Sequence, residues 1–172
     1  MPAVRELFDA HFDVVWRTVR RLGLAPASAD DVAQEVFVVA ARKLDAIEAG
    51  RERSFLVGTA IRLAANARRS RDRHAVVDID DLAVASERPL PDALVDARRS
   101  LALLDTALAA LPDELRVVLV LTELDAMTQP EVAELLGIPL GTIASRIRRA
   151  RYELATRVAE LRRDPQPLAR PS

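Results

Sequence analysis

Apolar residues return at helical spacing through most of this chain, and no stretch alternates with the period of a strand. Val4, Leu7, Phe8, Phe12, Val15, Val19 and Leu22 stripe a first helix over residues 5–22, which Gly23 stops. Pro26 and Ser28 lead into a second helix over residues 29–47. There Ser28 is the expected N-cap, and Asp30 and Asp31 complement the positive end of the helix dipole. Val32, Val36, Phe37, Ala40, Leu44 and Ile47 form its inward stripe. Ala49-Gly50 breaks that helix, a polar loop follows, and a third helix spans residues 54–71. Over residues 75–91 aspartates and prolines interrupt every apolar run, which predicts a mobile linker. Periodicity resumes near Leu94 with Leu101, Leu104, Leu108 and Leu111. Leu111-Pro112-Asp113-Glu114 then opens a helix with proline in its first turn. That helix is apolar on most sides up to Leu124, as the centre of a second core would be. Pro165, Pro167 and Pro171 predict a disordered tail.

The strongest local signal lies in residues 128–161. Thr128-Gln129-Pro130-Glu131 fits a capping box, with Thr128 as N-cap and Glu131 three residues on. The short helix it opens ends at Gly137, the residue expected just past a helix C-terminus, and Pro139 cannot continue it. A second helix starts around Leu140-Gly141-Thr142. This is the grammar of a helix–turn–helix, in which a short support helix and a tight turn present a recognition helix. Ile143, Ile147, Ala150, Leu154, Val158 and Leu161 share one face of the second helix. Ser145, Arg148, Arg149 and Tyr152 lie opposite, and Arg146 and Arg151 flank the seam. Arginine on such a face can fork onto guanine or pair with phosphates. An amphipathic helix with a merely basic outer face would show the same periodicity without the cap and the glycine stop.

The fold class is therefore all-α, two small helical domains joined by a flexible acidic linker, the second a helix–turn–helix domain. Its expected divisions are residues 1–74, a linker 75–91, a second module 92–164 and a tail 165–172. The chain has 172 residues, of which 50% are apolar and 30% charged, enough for folded cores. Cysteine is absent, which excludes disulfides and thiolate metal sites. His11 and His74 are too few for a histidine metal site, so no metal and no cofactor are expected. No apolar run reaches membrane-spanning length, and the N-terminus lacks a signal-peptide pattern, so a cytoplasmic protein with no membrane insertion is expected.

The formal net charge of −1 conceals a division along the chain. Residues 51–74 hold seven arginines against two acids, and so do residues 139–163. Between them, residues 75–96 hold six acids against Arg88 alone. This suits two contacts with a polyanion across a linker, and it equally suits two solvated helix faces.

The second module resembles region 4 of the extracytoplasmic-function (ECF) sigma factors of bacterial RNA polymerase. The resemblance runs from Leu111-Pro112 and Arg116 through Asp125-Ala126-Met127-Thr128 and Glu131-Val132-Ala133 to Gly137-Ile138-Pro139-Leu140-Gly141-Thr142-Ile143-Ala144-Ser145-Arg146. It implies binding of the −35 promoter element by Thr142, Ser145, Arg146, Arg148, Arg149 and Arg151, and packing on the flap of the polymerase beta subunit. Ala144 stands where relatives often carry Lys or Arg, and Pro130 where they usually have a polar or acidic residue.

The first module resembles sigma region 2. Asp31-Val32-Ala33-Gln34-Glu35-Val36-Phe37 is similar to the region 2.2 signature that docks on the clamp helices of the beta-prime subunit. Asp31, Gln34, Glu35, Val38 and Arg42 lie off the Val32/Val36/Leu44 stripe, offering carboxylates, an amide and one apolar residue to a partner. The segment from Arg53-Ser54-Phe55 to Arg68-Arg69 is similar to regions 2.3 and 2.4, which engage the −10 element. Arg62, Asn66, Arg69 and Arg73 share one helix face, and with Arg51 and Arg53 form the expected −10 surface. In the family, the loop before this helix, here residues 48–54, receives a base flipped from the non-template strand. Relatives usually carry Trp at Phe55 and often Asp at Asn66. Phe55 is expected in the core, as is Trp16, and His11 at the edge of the first helix with no catalytic role.

The function implied is a sigma factor that binds core polymerase and promoter DNA and starts transcription, with an anti-sigma factor as a typical partner. The alternative is a polymerase-independent helix–turn–helix regulator whose N-terminal helices sense a ligand. An enzyme is not supported, because no phosphate-cradling loop or His–carboxylate arrangement is present.

Overall fold

The computed structural model describes residues 4–74 and 92–163, except the side chains of residues 72–74 and 92–95. The expected linker and tail lie outside the described residues. Seven α-helices follow one another and no strand occurs among the described residues: α1 (Val4–Arg21), α2 (Pro26–Arg42), α3 (Glu52–His74), α4 (Asp92–Ala109), α5 (Asp113–Leu119), α6 (Gln129–Leu136) and α7 (Leu140–Arg163). A 3₁₀ turn, Leu44–Ala46, follows α2, and one π-helical turn, Val120–Leu124, continues α5.

Several boundaries differ from the periodicity reading. Helix α2 starts at Pro26 behind an extended Ala25 that makes no side-chain cap. Proline has no N–H to satisfy and a φ preset for the first turn, so it opens the helix itself. Ser28 consequently falls inside the first turn, and Asp30 and Asp31 lie beyond it. Asp30 instead accepts the indole N–H of Trp16 at 2.6 Å. Helix α3 starts two residues earlier than periodicity suggests. The Glu52 carboxylate bonds the backbone at residues 50 and 52, which holds it below the ordinary glutamate range. Pro112 is the N-cap of α5 rather than a residue of its first turn. Gly23 turns the chain at φ 95°, a conformation that costs glycine little.

Helices α1, α2 and α3 pack on one another around Leu7, Val15, Val19, Val36, Phe37 and Leu56. Trp16 and Phe55 lie half-buried against this cluster, as expected. In the second half, α4, α5 and α6 all pack on α7. Leu108, Leu111, Leu115, Leu119 and Ala150 fill the space between α4, α5 and α7.

The two halves also share apolar interior. Val120, from the π turn, belongs to the cluster of α1–α3. Val57, from α3, belongs to the cluster of Val118, Leu121, Val132, Ile143 and Ile147. Polar groups join the halves at two further points. Arg68 of α3 and Arg116 of α5 both donate to the Leu22 carbonyl at the end of α1, and both pair with Asp113. Asp125, just after the π turn, accepts from the Thr18 hydroxyl at 2.7 Å and from Arg21 at 3.2 Å.

Candidate nucleic-acid and partner interfaces

Three polar faces are candidates, one each on α2, α3 and α7. On α2 the inward stripe of Val32, Ala33, Val36, Phe37 and Ala40 is buried, which forces the intervening positions outward. Asp31, Gln34, Glu35, Val38 and Arg42 are all exposed there, with Val38 at 49%. An exposed apolar side chain ringed by carboxylates, an amide and a guanidinium has the composition of a protein-docking patch.

On α7 the seam of Ile143, Ile147 and Ala150 is buried against the second core. The turn ahead of it is built as its sequence predicts. Thr128 accepts from the Glu131 N–H while the Glu131 carboxylate accepts from the Thr128 N–H, completing a capping box. The Thr128 hydroxyl also donates to that carboxylate at 2.7 Å, and this bond, followed by that of the Thr128 N–H, holds the Glu131 carboxyl below its ordinary range. Gly137 closes α6 in the left-handed conformation, at φ 66°. Ser145, Arg148, Arg149, Arg151 and Tyr152 are exposed on the outer face, Tyr152 at 75%. Ser145 donates to the Thr142 carbonyl, and Thr142 is half-buried. Arg149 pairs with Glu153 at 2.7 Å, and Arg151 pairs with Glu123. Arg148 has no carboxylate partner among the described residues. Arg146, beside the seam, pairs with Glu114 at 2.8 Å and is the least exposed of these arginines. The structure therefore brings the −35 candidates together on one helix, with Thr142 and Arg146 at the margin.

The expected −10 residues divide into two groups. Arg62, Asn66 and Arg69 are exposed along α3, with Arg69 donating to the Asn66 side-chain oxygen. Arg51 and Arg53 are held by the second half of the chain. Arg51 pairs with Glu134 of α6 at 2.6 Å, and Arg53 donates to the Asp125 carbonyl at 2.5 Å. The Arg73 side chain lies outside the described residues. Residues 46–48, 50, 51, 54 and 55 form one wall of a cleft of about 480 Å³, and Glu131, Glu134 and Leu135 form the other.

Two residues of consequence carry no periodic signal. Arg116 is fully buried, and its guanidinium binds the carbonyls of Leu108, Ala109 and Leu111 at the end of α4. The Leu108 carbonyl also accepts the Leu111 N–H at 3.1 Å, and the guanidinium adds the side-chain bonds that cap this end of the helix. Asp125 is 6% exposed, and burial pushes its carboxyl above the ordinary aspartate range against the opposing pull of Thr18, Arg21 and Arg53. No helix among the described residues is long and apolar enough to cross a membrane.

Residues 7–74 match the family described as sigma-70 region 2, and residues 101–154 match sigma-70, region 4. The chain is similar to the ECF RNA polymerase sigma factor SigE of Mycolicibacterium smegmatis, at 33% identity over 93% of this chain and 63% of that protein. It is also similar to the ECF RNA polymerase sigma factor SigL of Mycobacterium tuberculosis, at 32% identity over 92% of this chain and 90% of that one. The fold is shared with the sigma factor RpoE of Bartonella quintana, solved in complex with the anti-sigma factor NepR. That likeness has a TM-score of 0.70 at 22% identity, covering 88% of this chain and 94% of RpoE.

Proposed function

Because this chain belongs to the ECF RNA polymerase sigma factors, we propose that it binds core polymerase through α2 and reads the −10 and −35 promoter elements through α3 and α7. The two helical units, residues 1–74 and 92–164, then serve as sigma regions 2 and 4, joined by residues 75–91. The outer face of α7 carries the reading most directly. It sets Ser145, Arg148, Arg149 and Arg151 in solvent behind a capped support helix, where an unpaired guanidinium can enter a groove or clasp a phosphate. On α2, Asp31, Gln34, Glu35, Val38 and Arg42 meet the beta-prime clamp helices, and the second unit also packs on the beta flap. Arg51, Arg53, Arg62, Asn66, Arg69 and Arg73 follow the −10 strand, and the loop of residues 48–54 receives its unpaired base. An anti-sigma factor is the proposed regulatory partner, acting with the polymerase in the cytoplasm.

A polymerase-independent regulator would need a ligand sensor in the helices that match sigma region 2, and this favours the sigma reading. Run-off transcription with purified core polymerase on a promoter library is the test. The chain should direct initiation from a defined −10/−35 pair. Glu35→Arg should weaken core binding while stability stays within about 0.5 kcal/mol, as for ordinary surface substitutions. Core binding that is absent from the wild type, or unaffected by Glu35→Arg, would overturn the α2 assignment.

A further inference from the structure

The cleft before α3 is walled on its far side by this chain's own helix α6. One wall, from residues 46–48, 50, 51, 54 and 55, includes part of the loop and the arginine, Arg51, that the proposed function assigns to the −10 strand, and the inference rests on that reading. The opposite wall is Glu131, Glu134 and Leu135. At the mouth, the Glu134 carboxylate lies 2.6 Å from an Arg51 guanidinium nitrogen. A DNA phosphate would present the same chemistry to that guanidinium. Two residues further along, Arg53 donates to the Asp125 carbonyl and is likewise occupied.

A third contact fixes how closely α6 approaches. Gly58 lies inside α3, where glycine is normally disfavoured. A Cβ added there would stand 3.0 Å from Leu135 Cδ1. The missing side chain is thus the notch that lets Leu135 seat on α3. The Arg51–Glu134 pair is more than half exposed on both sides, so by itself it closes little. The seated leucine and the buried Thr18–Asp125 bond supply contacts that salt does not screen. By contrast, the outer face of α7 is left open to solvent.

We propose that α6 is an intramolecular competitor for the −10 strand, with Glu134 occupying Arg51 in place of a phosphate and Leu135 locked on Gly58. The free chain then keeps its −35 face available and its −10 cleft covered. Engagement of the −10 strand requires α6 to leave α3.

The chain has no cysteine, so Ala10→Cys and Ala155→Cys, both at exposed positions, place two spin labels without background. Distance distributions in the full-length chain are compared with its affinity for a fluorescent single-stranded −10 oligonucleotide and for a −35 duplex. The variants are Glu134→Lys with Leu135→Ala, and separately Gly58→Ala, which acts from the other wall. Circular dichroism checks that each is folded. Both should broaden the distances and raise oligonucleotide affinity, about tenfold if the open form of the wild type is about a tenth of molecules. Affinity for the −35 duplex should stay unchanged. Distances and affinity that stay at wild-type values in both variants overturn the competition. A separate arm measures promoter opening by holoenzyme carrying Arg51→Ala, which should be weakened. Broadened distances with no gain in affinity, together with normal opening by Arg51→Ala holoenzyme, overturn the −10 reading of this cleft. In that case the competition falls with it.

Discussion

Arg116 shows what a single side chain can hold together. Its buried guanidinium donates to the Leu108, Ala109 and Leu111 carbonyls and to Leu22, and pairs with Asp113. Methionine fills a similar volume but donates nothing, leaving the buried Leu111 carbonyl without its donor, while Leu108 keeps the Leu111 N–H and Leu22 keeps Arg68. Arg116→Met should therefore lower stability by about 1–3 kcal/mol, the range for leaving a buried acceptor unsatisfied, in urea unfolding of the full chain. A loss near zero would mean that water replaces the guanidinium. Asp125 gives a pH-dependent counterpart. Its folded carboxyl titrates above the ordinary value of 3.8 because burial outweighs its donors Thr18 and Arg21 and the nearby Arg53. The folded form then binds this proton more tightly, so the contribution is fully favourable below 3.8 and is lost as pH rises through the raised folded value. Asparagine cannot ionise and retains an oxygen for Thr18. The stability difference between wild type and Asp125→Asn should accordingly turn against the wild type as pH rises across that window, in thermal melts. A difference that moves the opposite way would show that the arginines dominate. Neither residue was legible in the sequence as more than a motif position. A buried arginine or aspartate leaves no periodic trace, since its role depends on carbonyls and hydroxyls brought near by the fold.

At the level of elements, the sequence was most readable where local chemistry decides the outcome. The Thr128–Glu131 box and Gly137 specify α6 and its exit without help from elsewhere, and both form as read. Helix α2 was misread at its start because two local rules compete there. Ser28 is a good cap, but Pro26 is a better first residue, and the helix takes the proline. The π turn at Val120–Leu124 was not legible, because its apolar residues suit an α-helix equally well. Within α7, Arg149 tests the proposed reading of the −35 element. It is itself exposed and tied only to half-buried Glu153 one turn on, a pairing within one helix that is worth little, so it can exchange that carboxylate for a phosphate. Arg149→Ala in holoenzyme should weaken binding similarly across −35 variants and reduce the salt slope by about one unit. A bidentate guanine contact would instead cost about 1–3 kcal/mol at one base position. Arg146→Ala is the control, expected to do less because Glu114 already holds it beside the buried seam. If Arg149→Ala changed neither affinity nor slope, α7 would not be the DNA-reading helix.

Across the whole molecule, composition and periodicity predicted two helical units but not their mutual packing. A strand-free pattern with a charged, proline-rich break says where the units end, whereas shared burial depends on tertiary shape. Val120 belongs by sequence to the second unit yet is fully buried in the cluster of α1–α3. Val57 makes the reciprocal crossing into the cluster around Ile143. Interiors linked in this way cannot melt separately without exposing apolar surface on both sides, which favours cooperative unfolding. The full chain should therefore show one calorimetric transition rather than two. Val120→Ala should lower stability by about 2 kcal/mol through lost burial and the space left behind, and should also loosen the two halves from each other. The calorimetric trace of that variant should broaden or split while the wild-type trace remains single. Two resolved transitions in the wild type would mean that the halves unfold independently, and the crossing of Val120 and Val57 would then carry no thermodynamic coupling.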